Sequence, residues 1–140
     1  MSLTAFFSDK AKKPENQKII VSDRFLDEKG KPIPWEIKAI SEEEDAKIKD
    51  DCTTVTRFKG RQTTRFNNQR YINKLIAACT VFPDLKNAEL QKSYGVTSDD
   101  ELVQKMLISG EHANLQQAVN EINGFDAENV EAAKDEVKNS

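Results

Sequence analysis

The sequence predicts an α+β fold, mostly α, in which an N-terminal β-hairpin packs on a bundle of short helices. Apolar and polar side chains alternate over residues 33–39, which is typical of a half-buried strand. Ser41 and Ser98 are each followed three residues later by a glutamate, which is a helix-start signal. After these serines, apolar residues recur every three or four positions, as one face of a helix requires.

The hairpin is predicted over residues 18–40, after an N-terminal arm over residues 1–17. The alternating apolar residues of its second strand are centred on Trp35. The loop between the strands contains Gly30, which accepts positive φ, and Pro32, which ends strand pairing. The arm is expected to be flexible, because a few apolar residues precede a stretch rich in Lys, Pro and Asn.

The helical part is predicted over residues 41–140 and begins at Ser41, whose hydroxyl can accept a hydrogen bond from the backbone N–H of Glu44. Three consecutive glutamates then lie at the positive end of the helix dipole. This helix is expected to continue to about Thr54. The threonines and glycine that follow, up to Thr64, weaken helix propensity, so we predict a connection there.

Residues 66–80 have the broadest apolar face in the sequence and are predicted to form a core helix. The hairpin is expected to pack on this helix and to bury the centre of the domain with it. The residues predicted to make this contact are Phe25, Trp35 and Ile37 on the hairpin and Tyr71, Ile72, Leu75 and Ile76 on the helix.

Short helices are predicted along the rest of the chain. One begins at Pro83 and ends at Gly95, and the next begins at Ser98 and ends at Gly110. A last helix is predicted to be capped by Asp126. Between these segments a further apolar stripe is formed by Leu115, Ala118, Val119 and Ile122.

The length of 140 residues fits one compact domain, here residues 18–140. No apolar run approaches the roughly 20 residues that span a bilayer, and the N-terminus lacks the basic lead-in and long apolar run of a secretory signal. The two cysteines provide no disulfide framework, and Cys79 lies on a predicted apolar helix face. These features predict a cytoplasmic protein that does not contact membranes.

Charge is distributed unevenly along the chain. The net charge is −3, yet residues 52–83 hold six basic and no acidic side chains, whereas residues 84–140 hold five basic and twelve acidic ones. Three interpretations of the basic segment are open: pairing with the acidic C-terminal half in the same or a neighbouring subunit, contact with a partner protein, or binding of nucleic acid. The pI near 5.3 argues against nucleic acid, because modules that bind it usually carry a domain-wide basic bias.

No pattern of catalytic, metal-ligating or cofactor-binding residues is found. His112 is the single histidine and has no second histidine or cysteine at ligand spacing, so a histidine at a helix start is the better interpretation. Adjacent acids such as Asp99 and Asp100 would point about 100° apart on a helix. Glycine-rich phosphate-binding loops are also lacking. We therefore predict no enzyme activity, no metal and no cofactor.

Residues 21–45 contain three short motifs: Ser-Asp-Arg-Phe at 22–25, Asp-Glu-Lys-Gly at 27–30 and Trp-Glu-Ile-Lys at 35–38. With these motifs the segment resembles the tail assembly chaperones of contractile-tailed phages and PBSX-like prophages, the XkdN-like family. The resemblance extends to the order of the segments that follow: an acidic capped helix, a Thr- and Arg-rich connection, and short helices. These residues form no catalytic signature, so the resemblance implies a shared framework.

The resemblance implies a non-enzymatic role in virion assembly, in which the protein binds the tape measure protein and keeps it soluble until tail tube subunits polymerise around it. The tape measure protein is therefore the expected partner, and the tail tube protein is a further candidate. The resemblance also implies action in the cytoplasm of the bacterial host and absence from the mature virion. A structural virion component, such as a head–tail connector or tail completion protein, is the alternative.

The resemblance transfers no contact residues position by position, so the partner surface is inferred from the basic segment, where cations and aromatic side chains interleave. Self-association is a further alternative, because a hairpin edge and opposite charge blocks favour contacts between copies. Partner contacts are predicted at Arg57, Phe58, Arg61, Arg65 and Phe66.

Overall fold

The fold is described by a computed structural model over residues 2–125. After a 3₁₀ turn at Thr4–Phe6, these residues form five strands and five α-helices. The strands are β1 (Gln17–Ile19), β2 (Trp35–Ile37), β3 (Thr53–Phe58), β4 (Arg61–Phe66) and β5 (Thr80–Phe82). The helices are α1 (Glu42–Asp51), α2 (Asn68–Cys79), α3 (Ala88–Ser93), α4 (Asp99–Met106) and α5 (Ser109–Ile122). The α+β, mostly α, fold class is confirmed.

The N-terminal strands belong to a three-stranded antiparallel sheet with the order β1-β2-β5. The predicted pairing of the first two strands is confirmed, with Ile19 opposite Trp35, and a bridge between Leu26 and Pro32 closes the turn in the long connection between them. The third strand, β5, was not predicted. It follows the last residue of α2 directly, so the apolar helical periodicity conceals it.

The core lies where this sheet packs on α2, with α4 and α5 on the other sides of that helix. The predicted contact is confirmed: Trp35 is 2% exposed and Ile37 is 0% exposed, and both join Leu75 and Ile76 in the core. Phe25, Tyr71 and Ile72 are half-buried against the same core. Burial of large apolar side chains at these positions supplies the main stabilisation of the fold.

Both predicted serine caps are present. Ser41 Oγ accepts from the backbone N–H of Glu44 at 3.2 Å, and Ser98 Oγ accepts from that of Glu101 at 3.4 Å. Helix α3 begins after Asn87, whose side chain accepts from the N–H of Leu90, and not at Pro83 as predicted. The asparagine cap satisfies an otherwise free helical N–H, and this fixes the start of the helix.

The prediction that Gly110 ends α4 is wrong, because this glycine lies in the first turn of α5. The chain turns earlier, at Leu107, whose backbone is extended. The Glu111 carboxylate accepts the N–H of Ile108 at 3.0 Å and thereby caps the start of α5.

The segment predicted as a connection after α1 is a second hairpin, formed by β3 and β4. Helix α1 accordingly ends at Asp51 and not near Thr54. The helix-weakening residues of this segment are threonine, valine and phenylalanine, which favour extended backbone, so low helix propensity here reflects strand formation.

An ion pair joins the N-terminal half to the α4–α5 junction. The Arg24 guanidinium donates to both carboxylate oxygens of Glu111, at 2.5 and 3.1 Å, and to the carbonyl of Met106 at 2.9 Å. Residues 2–16 of the predicted arm are exposed, and the division into an arm and a domain of residues 18–140 stays a prediction. The predicted cap at Asp126 lies outside the described residues.

Candidate partner-binding surface

The β3–β4 hairpin is the candidate site, because it holds all five residues predicted to contact a partner. Its strands pair in register from Thr53 opposite Phe66 to Phe58 opposite Arg61. Lys59 and Gly60 form the turn with φ of 51° and 77°, the positive values of a two-residue turn that matches the twist of a hairpin. Every residue of both strands is exposed except the half-buried Thr53.

The register separates the hairpin side chains into two faces, because directly opposed residues of an antiparallel pair point to the same side. We call inner face the set Thr53, Val55, Arg57, Gln62, Thr64 and Phe66. We call outer face the set Thr54, Thr56, Phe58, Arg61, Thr63 and Arg65.

The five predicted residues are thus brought onto one element but not onto one face. Arg57 and Phe66 lie on the inner face, whereas Phe58, Arg61 and Arg65 lie on the outer face. Sequence reasoning missed Val55, which is 54% exposed on the inner face. Each face mixes threonine, arginine and a phenylalanine, so the residue types of this segment do not reveal the two faces.

The hairpin is strongly basic. Residues 53–66 hold four cations and no acid, and among residues 2–125 the salt bridges join Arg24 to Glu111 and Lys49 to Asp45, neither of which involves the hairpin. Within that part of the chain, the interpretation that the basic segment pairs with acids of the same subunit therefore gains no support.

The base of the hairpin is fixed to the helices on either side of it. The N–H of Asn67 donates to the carbonyl of Cys52 at 2.8 Å, and the hydroxyl of Thr53 donates to the carbonyl of Lys49 at 2.8 Å. Arg70 of α2 donates to the carbonyl of Asp51 at 2.9 Å. The hairpin has no hydrophobic core of its own, so these hydrogen bonds fix its orientation relative to the helices.

A groove of about 350 Å³, which we call the inter-helix groove, lies between α1, α2 and α5 and is not lined by the hairpin strands. The aromatic rings of Phe66 and Tyr71 lie 5.6 Å apart between centroids, and Tyr71 lines the groove. Other lining residues are Lys49, Ile72, Leu75, Gln116 and Val119. The groove therefore has an apolar floor and polar walls.

A buried acid fixes one wall of this groove. The hydroxyl of Tyr71 donates to Asp45 Oδ1 at 2.6 Å, and Lys49 Nζ lies 3.0 Å from Asp45 Oδ2. Burial, together with the hydrogen bond to Asp45, raises the pKa of Tyr71 above its usual range, so the phenol stays a donor. The position of Tyr71 between Phe66 and the groove is therefore set by α1.

The side chains singled out for chemistry lie elsewhere. His112 is half-buried with Nε2 2.7 Å from Asn73 Oδ1, and burial lowers the pKa of the imidazole. Cys52 and Cys79 are buried free thiols whose pKa is raised by burial. Over residues 2–125, no group of three or more His, Cys, Asp or Glu side chains is arranged to hold a metal ion. In the same range, no helix is long and apolar enough to cross a membrane.

Comparisons with known proteins agree with this arrangement of elements. The chain is 31% identical over 139 residues to the phage-like element PBSX protein XkdN of Bacillus subtilis strain 168, covering 98% of this chain and 93% of that protein. It is 30% identical over 139 residues to the protein YqbN of the same strain, with the same coverage.

The crystal structure of YqbN superposes with a TM-score of 0.78 at 28% identity, covering 90% of this chain and 98% of that one. The sequence model of the family described as Phage XkdN-like tail assembly chaperone protein matches residues 3–138. The chain belongs to the XkdN-like family of phage tail assembly chaperones.

Proposed function

We propose that this chain binds the tape measure protein and keeps it soluble while the tail is assembled, without catalysing a reaction. The observation that carries the proposal is the β3–β4 hairpin, which is exposed on both faces and presents Val55, Phe58 and Phe66 to solvent. The chain belongs to a family of tail assembly chaperones. In such a protein, a basic hairpin whose apolar side chains are exposed is suited to contact with another chain.

The proposal places the chain in the host cytoplasm before the tail is complete, and outside the mature virion. A tape measure protein is a long helical chain with apolar faces that aggregate unless they are covered. A chaperone for such a chain needs a reversible contact surface and no reaction centre. Exposed apolar side chains interleaved with cations provide adhesion that is weaker than permanent core packing.

Co-expression with the tape measure protein tests the proposal. The soluble fraction of the tape measure protein is expected to rise with the wild-type chain, and the two proteins are expected to copurify. A triple variant with Arg57, Arg61 and Arg65 changed to Gln should return the tape measure protein to the pellet, because it removes three of the four hairpin charges. The matched control changes the exposed Lys86, Lys92 and Lys105 to Gln and should behave as wild type.

Equal insolubility of the tape measure protein with and without the wild-type chain, and no recovered complex, would contradict the proposal. Full activity of the triple hairpin variant would instead move the contact away from the hairpin. Mass spectrometry of purified particles separates the alternative of a structural virion component, because the proposed chaperone should be absent from them. Stoichiometric recovery of the chain in particles would replace the proposal with that alternative.

A further inference from the structure

The outer face of the hairpin lines a shallow concavity of about 760 Å³, which we call the outer concavity. Four of the six outer-face residues line it, Thr54, Thr56, Thr63 and Arg65, and residues 66–68, where β4 passes into α2, complete it. Three hydroxyl groups and a guanidinium are hydrogen-bond donors that suit carboxylates. The outer concavity therefore favours an occupant with negative charge.

The cations of the strands are concentrated on the same face. Arg65 lines the outer concavity and Arg61 lies nearer the turn, whereas the inner face carries Arg57 alone. In the part of the chain that the structure describes, the salt bridges include neither outer-face arginine. The acid-rich runs at 42–45 and 99–101 belong to the first turns of α1 and α4, where they complement the helix dipoles. The acids best placed to pair with the outer face therefore lie outside the described residues.

Residues 126–140 supply acids next to this surface, since they hold five acidic and two basic side chains. Phe125, which precedes them, lines the inter-helix groove together with Asn68, and Asn68 also lines the outer concavity. The segment therefore begins beside the base of the hairpin. Its 15 residues span about 22 Å at the rise of a helix and about 50 Å at that of a strand. A six-residue strand spans roughly 20 Å, so the segment can reach along the whole outer face.

Covalent attachment favours this occupant over a separate molecule. A short linker gives two joined sites an effective concentration on the order of millimolar, so that pairs of exposed charges, which are weak between separate molecules, are sufficient for contact. We infer that residues 126–140 dock on the outer concavity of the same chain, with their carboxylates against Arg61 and Arg65. Another molecule that binds this face must displace them. The inference goes beyond the proposed function, because it concerns the isolated chain.

Disulfide trapping tests the contact in the full chain. Thr63 lies on the outer face and lines the concavity, and its neighbour Thr64 is exposed on the inner face. Each is changed to Cys together with Ala132→Cys in the middle of the acidic segment, and the disulfide is equilibrated in a glutathione buffer. The effective concentration of the two thiols should be at least about tenfold higher for the Thr63→Cys pair, which we call the outer trap. Ala132→Cys alone measures the background from Cys52 and Cys79, which are buried.

The contribution of charge is tested on the outer trap. Changing Arg61 and Arg65 to Gln should lower the effective concentration about fivefold or more, because it removes the charges that hold the segment. The matched control changes Arg57 and Lys59 to Gln, which removes the same charge from the inner face and the turn, and should stay within about twofold. Sodium chloride at about 1 M should also weaken the trap, since it shortens the Debye length to about 3 Å.

Three results would overturn the inference. The first is an equal effective concentration for the cysteines at 63 and 64, and the second is an outer trap that does not depend on Arg61 and Arg65. The third is a disulfide between chains in place of the intramolecular one, recognised by its mass, which would assign the face to the segment of a second copy. None of these results decides whether the tape measure protein binds, because co-expression tests that separately.

Discussion

Residues 2–125 contain two antiparallel β regions, of which only the first has a strand buried in the core. In the β1-β2-β5 sheet, Trp35 and Ile37 are inaccessible to solvent and packed on α2. In the β3–β4 hairpin, Phe58 is 72% exposed and Phe66 is 47% exposed. The first region is stabilised by the core, and the second by its own ladder and the hydrogen bonds at its base.

The difference separates the part of the chain that specifies the fold from the part that is free to act. Burial of one sheet face fixes the register of β2, because a slip of one residue would turn Trp35 and Ile37 away from α2. No core side chain constrains the hairpin in that way. The residue types of the hairpin can therefore be determined by contact with another molecule and not by packing in the core.

Truncation of one apolar side chain in each region should give the largest contrast. Ile37→Ala removes a fully buried side chain and should lower the free energy of unfolding by about 2–5 kcal/mol. Val55→Ala, at a site 54% exposed, should change it by less than about 0.5 kcal/mol. Urea unfolding followed by circular dichroism measures both, and similar losses in the two variants would show that the hairpin is part of the cooperative core.

The ion pair that joins the two halves of the body should give a smaller effect that depends on pH. Its hydrogen bonds from Arg24 hold the pKa of Glu111 at about 2, against an ordinary value of 4.5. Because the folded-state pKa is depressed, the ionised carboxylate stabilises the fold fully above pH 4.5, and this stabilisation is lost as the pH falls through 2. Thermal unfolding between these pH values should therefore show a falling midpoint in the wild-type chain.

Glu111→Gln should lower the midpoint at neutral pH and flatten its decline in acid. Glu121→Gln is the matched control on the same helix, since Glu121 meets no cation among the described residues. It should keep the wild-type pH profile. If Glu111→Gln and the wild-type chain show the same dependence of the unfolding midpoint on pH, the ion pair is not the cause of the decline in acid.

The elements that the sequence predicted correctly are those in which local and tertiary signals agree. Ser98 caps a helix whose apolar residues Leu102, Val103 and Met106 are buried in the core. Trp35 and Ile37 alternate on a strand that is covered on one side. Strand β5 was missed because its three residues follow α2 without a break, and its pairing with β2 is a tertiary contact.

The sequence predicts which segment forms the candidate site but not the three-dimensional shape of that segment. Its cations and phenylalanines mark residues 57–66 as a contact segment. Threonine both weakens helices and favours strands, so low helix propensity alone does not distinguish a connection from a hairpin. The two faces depend on the register, which the Lys59–Gly60 turn determines. The inter-helix groove depends on three helices that are distant in sequence, so no local pattern could have predicted it.

Substitution of a glycine in the hairpin turn should have the smallest and most local effect on stability, in contrast to substitution of a glycine in helix α5. Gly60 has a φ of 77°, whereas Gly110 lies in α5, and a Cβ added at either position meets no atom within 4 Å. Gly60→Ala should therefore weaken only the hairpin, by about 1 kcal/mol of backbone strain. Gly110→Ala should stabilise α5 by about 0.5–1 kcal/mol, since alanine favours helix.

Hydrogen exchange read residue by residue distinguishes these effects. In the wild-type chain the β3–β4 amides should exchange faster than those of β2, because solvent reaches both faces of the hairpin. Gly60→Ala should speed exchange across residues 53–66 and leave β2 unchanged, since the core does not depend on the hairpin. Faster exchange in β2 as well would mean that the hairpin and the core open together, and the separation of scaffold from contact element would not hold.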